Sequence, residues 1–445
     1  MTMEAVENVW STLTPQEKRE RRFAAWLAAP GVRFASPEAE TAYKARVKRL
    51  IDAIRLKKPD RVPVTPFLGE FVATYGGYTQ KDMMYDADKA IDAATRCTLE
   101  LDFDAKAPAG VPEGPVWEIL ENKQRIWPGR GLPENGSVQF VEGEYMKADE
   151  YDSFISDETD FRWRVFLPRI WGAAEPLKKL QLSVANINQF GLPEVQAALN
   201  KLMQAGTESR KWEGKIAAAN RRLTELGYPD LRATGGPPGG APFDHLGDNL
   251  RGQRGISLDM YRQPEKLLEA INLVTNKRIR RIHQSTDTVR LGGSPIIGFA
   301  LHKGADGFMS DRQFRTFYWP SLRQLIMALV EEGFVPELRT QGSYDSRLEA
   351  INDLPAGTVI WHFYLTDMER GKAAIGNTQC IVGSVPQSLL SCGTPDEVAA
   401  FARRLIDIAG KDGGFMLSSP GGLGKDAKAD NIRAMVRTAK EYGQY

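Results

Sequence analysis

Apolar residues in the second half of the chain fall into short runs separated by stretches in which they recur at helical spacing. "SPIIGFAL", "FVPELRTQ", "GTVIWHFYL", "QCIVGSV" and "GGFMLSS" are such runs, and they read as strands buried on both faces. Between them, "SDRQFRTFYWPSLRQLIMALVEEG", "SRLEAIND", "DMERGKAAIG" and "GTPDEVAAFARRLIDIAG" read as helices, and "DNIRAMVRTAKEYG" closes the series. Two helices announce their own starts. Ser310 with Gln313, and Thr394 with Glu397, have the spacing of a capping box, and Pro395 stands in a first turn. Pro320 lies inside a helical pattern and predicts a kink or a split.

Strands that alternate with helices are parallel and joined by right-handed crossovers. Short runs near 62–67, 102–107 and 231–236 bring the strands to eight. No GxGxxG loop follows any strand, which argues against an open dinucleotide-binding sheet. The pattern therefore predicts a (β/α)8 TIM barrel over 58–445. Upstream, Tyr43, Val47, Leu50, Ile51 and Ile54 share a helical face, so 1–57 is expected to be a helical extension. Residues 115–150 read as an antiparallel ribbon insertion, and 191–228 as a long polar helical one.

The strand "FVPELRTQ" poses a chemical question. A period of two puts Glu337, Arg339 and Gln341 on one face of an otherwise core-like strand. Two answers are open. Glu337 and His362, on the next strand, converge as metal ligands; or Glu337 pairs with Arg339 and His362 fills a polar core. Two loops add candidates. "GAPFDHLGDNLRG" follows the glycine-rich "ATGGPPGG" and presents Asp244 beside His245, a carboxylate next to an imidazole, suited to proton transfer. "LHKGADGFMS" places His302 and Lys303 at a strand end, with Asp306 near enough in sequence to orient either.

Bulk properties narrow the class. A net charge of +1 gives no reason to expect nucleic acid or an anionic membrane as partner. No apolar run reaches the roughly 18 residues of a membrane helix. The first residues mix acids and bases without an apolar signal core. Cys97, Cys380 and Cys392 are scattered and form no CxxC, which suits a reducing compartment. A cytoplasmic protein is expected.

Taken together, "RVKRLIDAIRLKKPDRVPVTPF", "KGADGFMSDRQFRTFYWPSL", "VEEGFVPEL", "YLTDMERGKAAIG", "IVGSVPQSLLSCGTPDEV" and "GGFMLSSPGGLGKDAKADNIRAMVRTAKEYG" resemble, in order and spacing, the uroporphyrinogen decarboxylase-like superfamily. The resemblance implies a TIM barrel with its cleft at the carboxyl ends of the strands. It also implies one of two chemistries: cofactor-independent decarboxylation, or methyl transfer to or from a corrinoid. The decarboxylase's arginine-bearing amino-terminal segment corresponds here to "TPFLGEFVATYGG", which has no arginine. The thiol-methylating members carry zinc on a His-x-Cys pair and a later Cys. The pair aligns with Arg339 and Gln341, and the later Cys falls near "SSPGGLG", which has none. A zinc site would then have to use Glu337 and His362.

The O-demethylase-like members are similar at "FVPEL" and "SRLEAINDLP". The resemblance therefore favours a corrinoid-linked methyltransferase acting on a small methylated donor, such as an aryl methyl ether. A decarboxylase or a non-catalytic barrel is the alternative. On the favoured reading Asp244, His245 and His302 are catalytic, and Arg339, Gln341 and Lys303 hold substrate. No DxHxxG motif occurs, so the corrinoid (cobalamin) is expected on a partner protein. A homodimer is left open.

Overall fold

The structure is a computed structural model and describes residues 10–107, 113–181, 184–237, 239–285 and 292–445. Strands Ile296–Leu301, Val335–Thr340, Ile360–Phe363, Cys380–Ser384 and Phe415–Ser418 form a parallel sheet in sequence order. Three extended segments, at 62–65, 103–106 and 229–233, close it into a ring. The Thr65 N–H donates to Leu417 O at 2.9 Å, and the Leu417 N–H to Pro63 O at 2.8 Å. The Asp104 N–H reaches Val64 O at 2.9 Å, the Lys106 N–H reaches Pro229 O at 3.0 Å, and the Ala233 N–H reaches Ile296 O at 2.8 Å. The ring has the eight staves of a (β/α)8 barrel.

The closing staves are thin for a local reason. Pro63 and Pro66 have no N–H to give to a ladder. The Asp104 carboxylate takes over part of that work, accepting the Val64 N–H at 2.8 Å and guanidinium donors of Arg49 at 2.6 Å and Arg61 at 2.8 Å.

Helices Pro15–Ala28 and Pro37–Ile54 cover the amino-terminal end of the ring. Their Phe23, Trp26, Val47, Leu50 and Ile51 pack in one cluster with Leu231, Ile296, Val335, Ile360, Cys380 and Met416. These barrel residues form the lowest inward layer. Above this layer most inward positions are small or polar, Gly298 and Ala300, Glu337 and Arg339, His362 and Ser384, with Val382 still apolar. The register pairs Gly298 with Glu337, Ala300 with Arg339, and Arg339 with His362. Apolar floor and polar mouth thus lie on one face of the same strands. The opposite face, with Phe299, Leu301, Leu338, Trp361, Phe363 and Leu417, belongs to the main core.

Both capping boxes form as the spacing predicts. The helix containing Pro320 is split, as expected: Asp311–Gln313, a π-helical turn at Phe314–Tyr318, then Trp319–Glu331 with the proline in its first turn. The region 115–150 differs from expectation. Gly114–Ile119 is helical, with Pro115 in the first turn, where a missing N–H costs nothing. Only Arg125–Pro128 and Gln139–Phe140 pair antiparallel. The polar stretch beyond 191 is one helix, Pro193–Glu225. Among the described residues, no helix is long and apolar enough to cross a membrane.

Candidate active site at the barrel mouth

Glu337 is buried in the barrel interior, and a cation on a different stave neutralises it. Arg232 grips the carboxylate with both arms, Nη2 to Oε1 at 2.8 Å and Nε to Oε2. Burial pushes the Glu337 carboxyl up, but Arg232, His362 and Arg339 outweigh that and hold it far below the usual carboxylate range. His362 Nδ1 stands 3.5 Å from Glu337 Oε1. Its Nε2 lies 3.2 Å from both Ser384 Oγ and Ser419 O. Burial pushes the imidazole pKa down, toward the neutral form.

Arg339 does not pair with Glu337. Its guanidinium carbon lies 5.1 Å from the Phe67 ring centroid, and that of Arg232 lies 5.4 Å from the same ring. The two guanidinium groups therefore crowd one aromatic wall, with one carboxylate between them.

Higher in the barrel, the loop after the third stave meets the end of the fourth. Asp244, on the short helix Pro242–Leu246, is buried and accepts three hydrogen bonds. The His302 N–H donates at 2.9 Å, the Lys303 N–H at 2.9 Å, and Tyr318 Oη–H at 2.7 Å. Burial pushes its carboxyl pKa up. With these contacts Asp244 is a clamp on the turn that carries His302.

Asp248 plays the part that the sequence reading gives to Asp244. Its Oδ2 lies 2.6 Å from His302 Nδ1, and its Oδ1 contacts Lys303 Nζ. The hydrogen bond to Asp248 raises the His302 pKa above its ordinary value. Burial pushes Asp248 upward, but His302 and Lys303 overcome it, and the carboxylate stays ionised. The pair at the mouth favours imidazolium on carboxylate.

A cavity of about 510 Å³ opens there, lined by Arg125, Tyr145, Asp248, His302, Lys303 and Gln341. Arg125 comes from the ribbon insertion, its guanidinium carbon 3.9 Å from the Phe140 ring centroid.

Of the sequence-predicted residues, the fold brings His302, Lys303 and Gln341 to this cavity, and Glu337, Arg339 and His362 to the interior below it. His245 is placed elsewhere. It is half-buried near Arg278, Arg162 and Glu158, with its pKa pushed down to about 3 by desolvation and the two arginines. Asp306 orients neither His302 nor Lys303, because Ser343 and Ser346 take it at 2.8 and 2.6 Å.

Asp248, Arg232, Tyr318 and Arg125 are functional neighbours that sequence reasoning missed. Asp248 had a usable signal, since it stands four residues after Asp244, on the same helical face.

The donor set does not fit zinc. The family's soft Cys ligands are missing, and both Glu337 oxygens already face a guanidinium. Among the described residues no group of three or more His, Cys, Asp or Glu converges as a metal centre.

Residues 237–442 match the family model described as uroporphyrinogen decarboxylase (URO-D). A uroporphyrinogen decarboxylase from Azoarcus sp. (strain BH72) is 21% identical over 261 residues, 58% of this chain and 68% of that protein. A solved methyltransferase from Methanosarcina mazei superposes with a TM-score of 0.56 at 16% identity, covering 89% of this chain and 98% of that one. At such identity the structural likeness is one of fold. The match to the uroporphyrinogen decarboxylase (URO-D) family model thus covers the last five staves and the clamp loop, residues 237–442, of a (β/α)8 barrel.

Proposed function

We propose that the protein is a methyltransferase that moves a methyl group from a small methylated donor, with aryl methyl ethers as the leading class, to the cobalt of a corrinoid held by a partner protein. The observation that supports this most is the Asp248–His302 pair facing the mouth cavity. An ether oxygen that gives up its methyl becomes an oxyanion and leaves poorly unless protonated.

His302, whose protonated form Asp248 favours, is the donor of that proton. A corrinoid presented as the co-substrate would accept the methyl carbon on cobalt(I), whose electron pair would form the new bond. The pair of the broken C–O bond stays on oxygen, which takes the His302 proton. Lys303 and Asp244 fix the geometry, one through Asp248 and the other through the backbone of the turn. The cavity is of small-molecule size, so it takes the donor while the corrinoid is presented from outside. Cys97, Cys380 and Cys392 are free thiols, in keeping with a cytoplasmic setting.

The test is to mix the protein with reduced cob(I)alamin and a panel of methoxyarenes, with and without a corrinoid partner, and to follow the visible spectrum. Formation of methylated corrinoid with at least one donor supports the reading. Absence of transfer with every donor, partner protein supplied, overturns it and brings decarboxylation forward.

A further inference from the structure

Three neighbouring buried polar atoms in the barrel interior have no hydrogen-bond partner: Arg339 Nε, His362 Nδ1 and Tyr364 Oη. They belong to neighbouring staves. Arg339 is the register partner of His362, and Tyr364 stands just past the end of the His362 strand. The rings of His362 and Tyr364 meet edge to face at 5.0 Å, and Phe67 lies 6.3 Å from Tyr364. Guanidinium, phenol and phenyl ring therefore border one space.

A folded interior rarely leaves a guanidinium without an acceptor. The nearest carboxylate, Glu337, is spent on Arg232. Arg232 and Glu337 cancel, and burial disfavours the charged form of His362. Arg339 is then one cation in excess. Gly298 lets the two guanidinium groups come close: a Cβ there would stand 2.9 Å from Arg232 Cδ and 3.5 Å from Arg339 Nη2, and the register partner of Arg339 on the same strand is only Ala300. Arg339 and Tyr364 are both half-buried.

We propose that this space binds the carboxylate of a small monoanion on Arg339, with Tyr364 as the second donor and Phe67 as an apolar wall. The planar guanidinium fork matches a carboxylate. The surrounding rings select a flat, apolar body, so the ligand class is a small arenecarboxylate. The site stands on the interior geometry alone and does not depend on methyl transfer. If both hold, it anchors an acidic methyl donor beneath His302.

The test is calorimetric titration of the full chain with benzoate and with benzamide, which has the same shape without the charge. Benzoate is expected to bind saturably at one site, with benzamide weaker by roughly tenfold or more. Arg339→Gln is expected to cost benzoate at least about tenfold in affinity, and Tyr364→Phe a smaller factor. Equal binding of benzamide, no saturable benzoate binding up to roughly 10 mM, or unchanged benzoate affinity in a folded Arg339→Gln protein each overturns the proposal. If Arg339→Gln does not fold, Tyr364→Phe and the benzoate–benzamide difference decide. No methyl transfer is read, so this proposal and the previous one fail separately.

Discussion

Glu337 shows what a single residue tells and withholds. Its spacing from Arg339 and Gln341 was enough to put all three on the inward face. Its partner was not legible, because Arg232 lies far back in the chain on a stave with little strand character of its own. Removing the negative charge would leave Arg232 buried and uncompensated. Glu337→Gln is expected to lower stability by about 3–5 kcal/mol, as read from urea unfolding. The pH dependence has a definite sign. The folded carboxyl lies far below an unfolded value of about 4.3, so its contribution is complete above that pH and erodes as the solution is acidified below it. His302 runs the other way. Its pKa is raised, so the Asp248 contact contributes fully below an unfolded value of about 6.5 and is lost as pH rises through the folded one. Asp248→Asn should bring the His302 titration, followed by NMR of the ring protons, down to lower pH. An unshifted titration would show that Asp248 does not hold the proton there.

At the scale of elements, the site depends on a clamp. The short helix Pro242–Leu246, the turn after Leu301 and the π-helical turn Phe314–Tyr318 all meet at the Asp244 carboxylate. Asp244→Ala is expected to cost about 1–3 kcal/mol per buried donor left unsatisfied. It should also loosen His302 enough to lower methyl transfer, whereas Tyr318→Phe keeps both backbone contacts and should retain more activity. Activity equal to wild type in folded Asp244→Ala would remove the clamp from the account. The sequence pointed to this loop but misassigned its parts. Adjacent residues on a helix point about 100° apart, so Asp244 and His245 do not share a target, whereas Asp244 and Asp248 do. The helix split near Pro320 was legible from the proline. That it would aim Tyr318 at Asp244 was not, since sequence periodicity does not say which turn meets which.

Across the whole molecule, the barrel divides along its axis into an apolar floor and a polar mouth. The alternation of strand and helix made the last five staves legible, and short apolar runs marked the other three despite their prolines. The helices before residue 55 were recognisable as helices from their apolar face. That this face closes the barrel floor was not, because an amphipathic pattern does not name what covers it. Trp26 is fully buried in that floor, and Trp26→Ala is expected to cost about 3–5 kcal/mol. Transfer per folded molecule should be unaffected, because the floor touches none of the mouth residues. A change in pH profile with that variant would show that floor and mouth are coupled.

The most direct measurement is the single-turnover rate of corrinoid methylation against pH, for wild type and for His302→Gln, with one accepted donor. The account predicts that the wild-type rate falls as pH rises through the raised His302 pKa. The variant should be slower by roughly 10²–10⁴-fold and lack that limb. Wild type and variant sharing one rate and one profile would contradict it, and His302 would not be the acid.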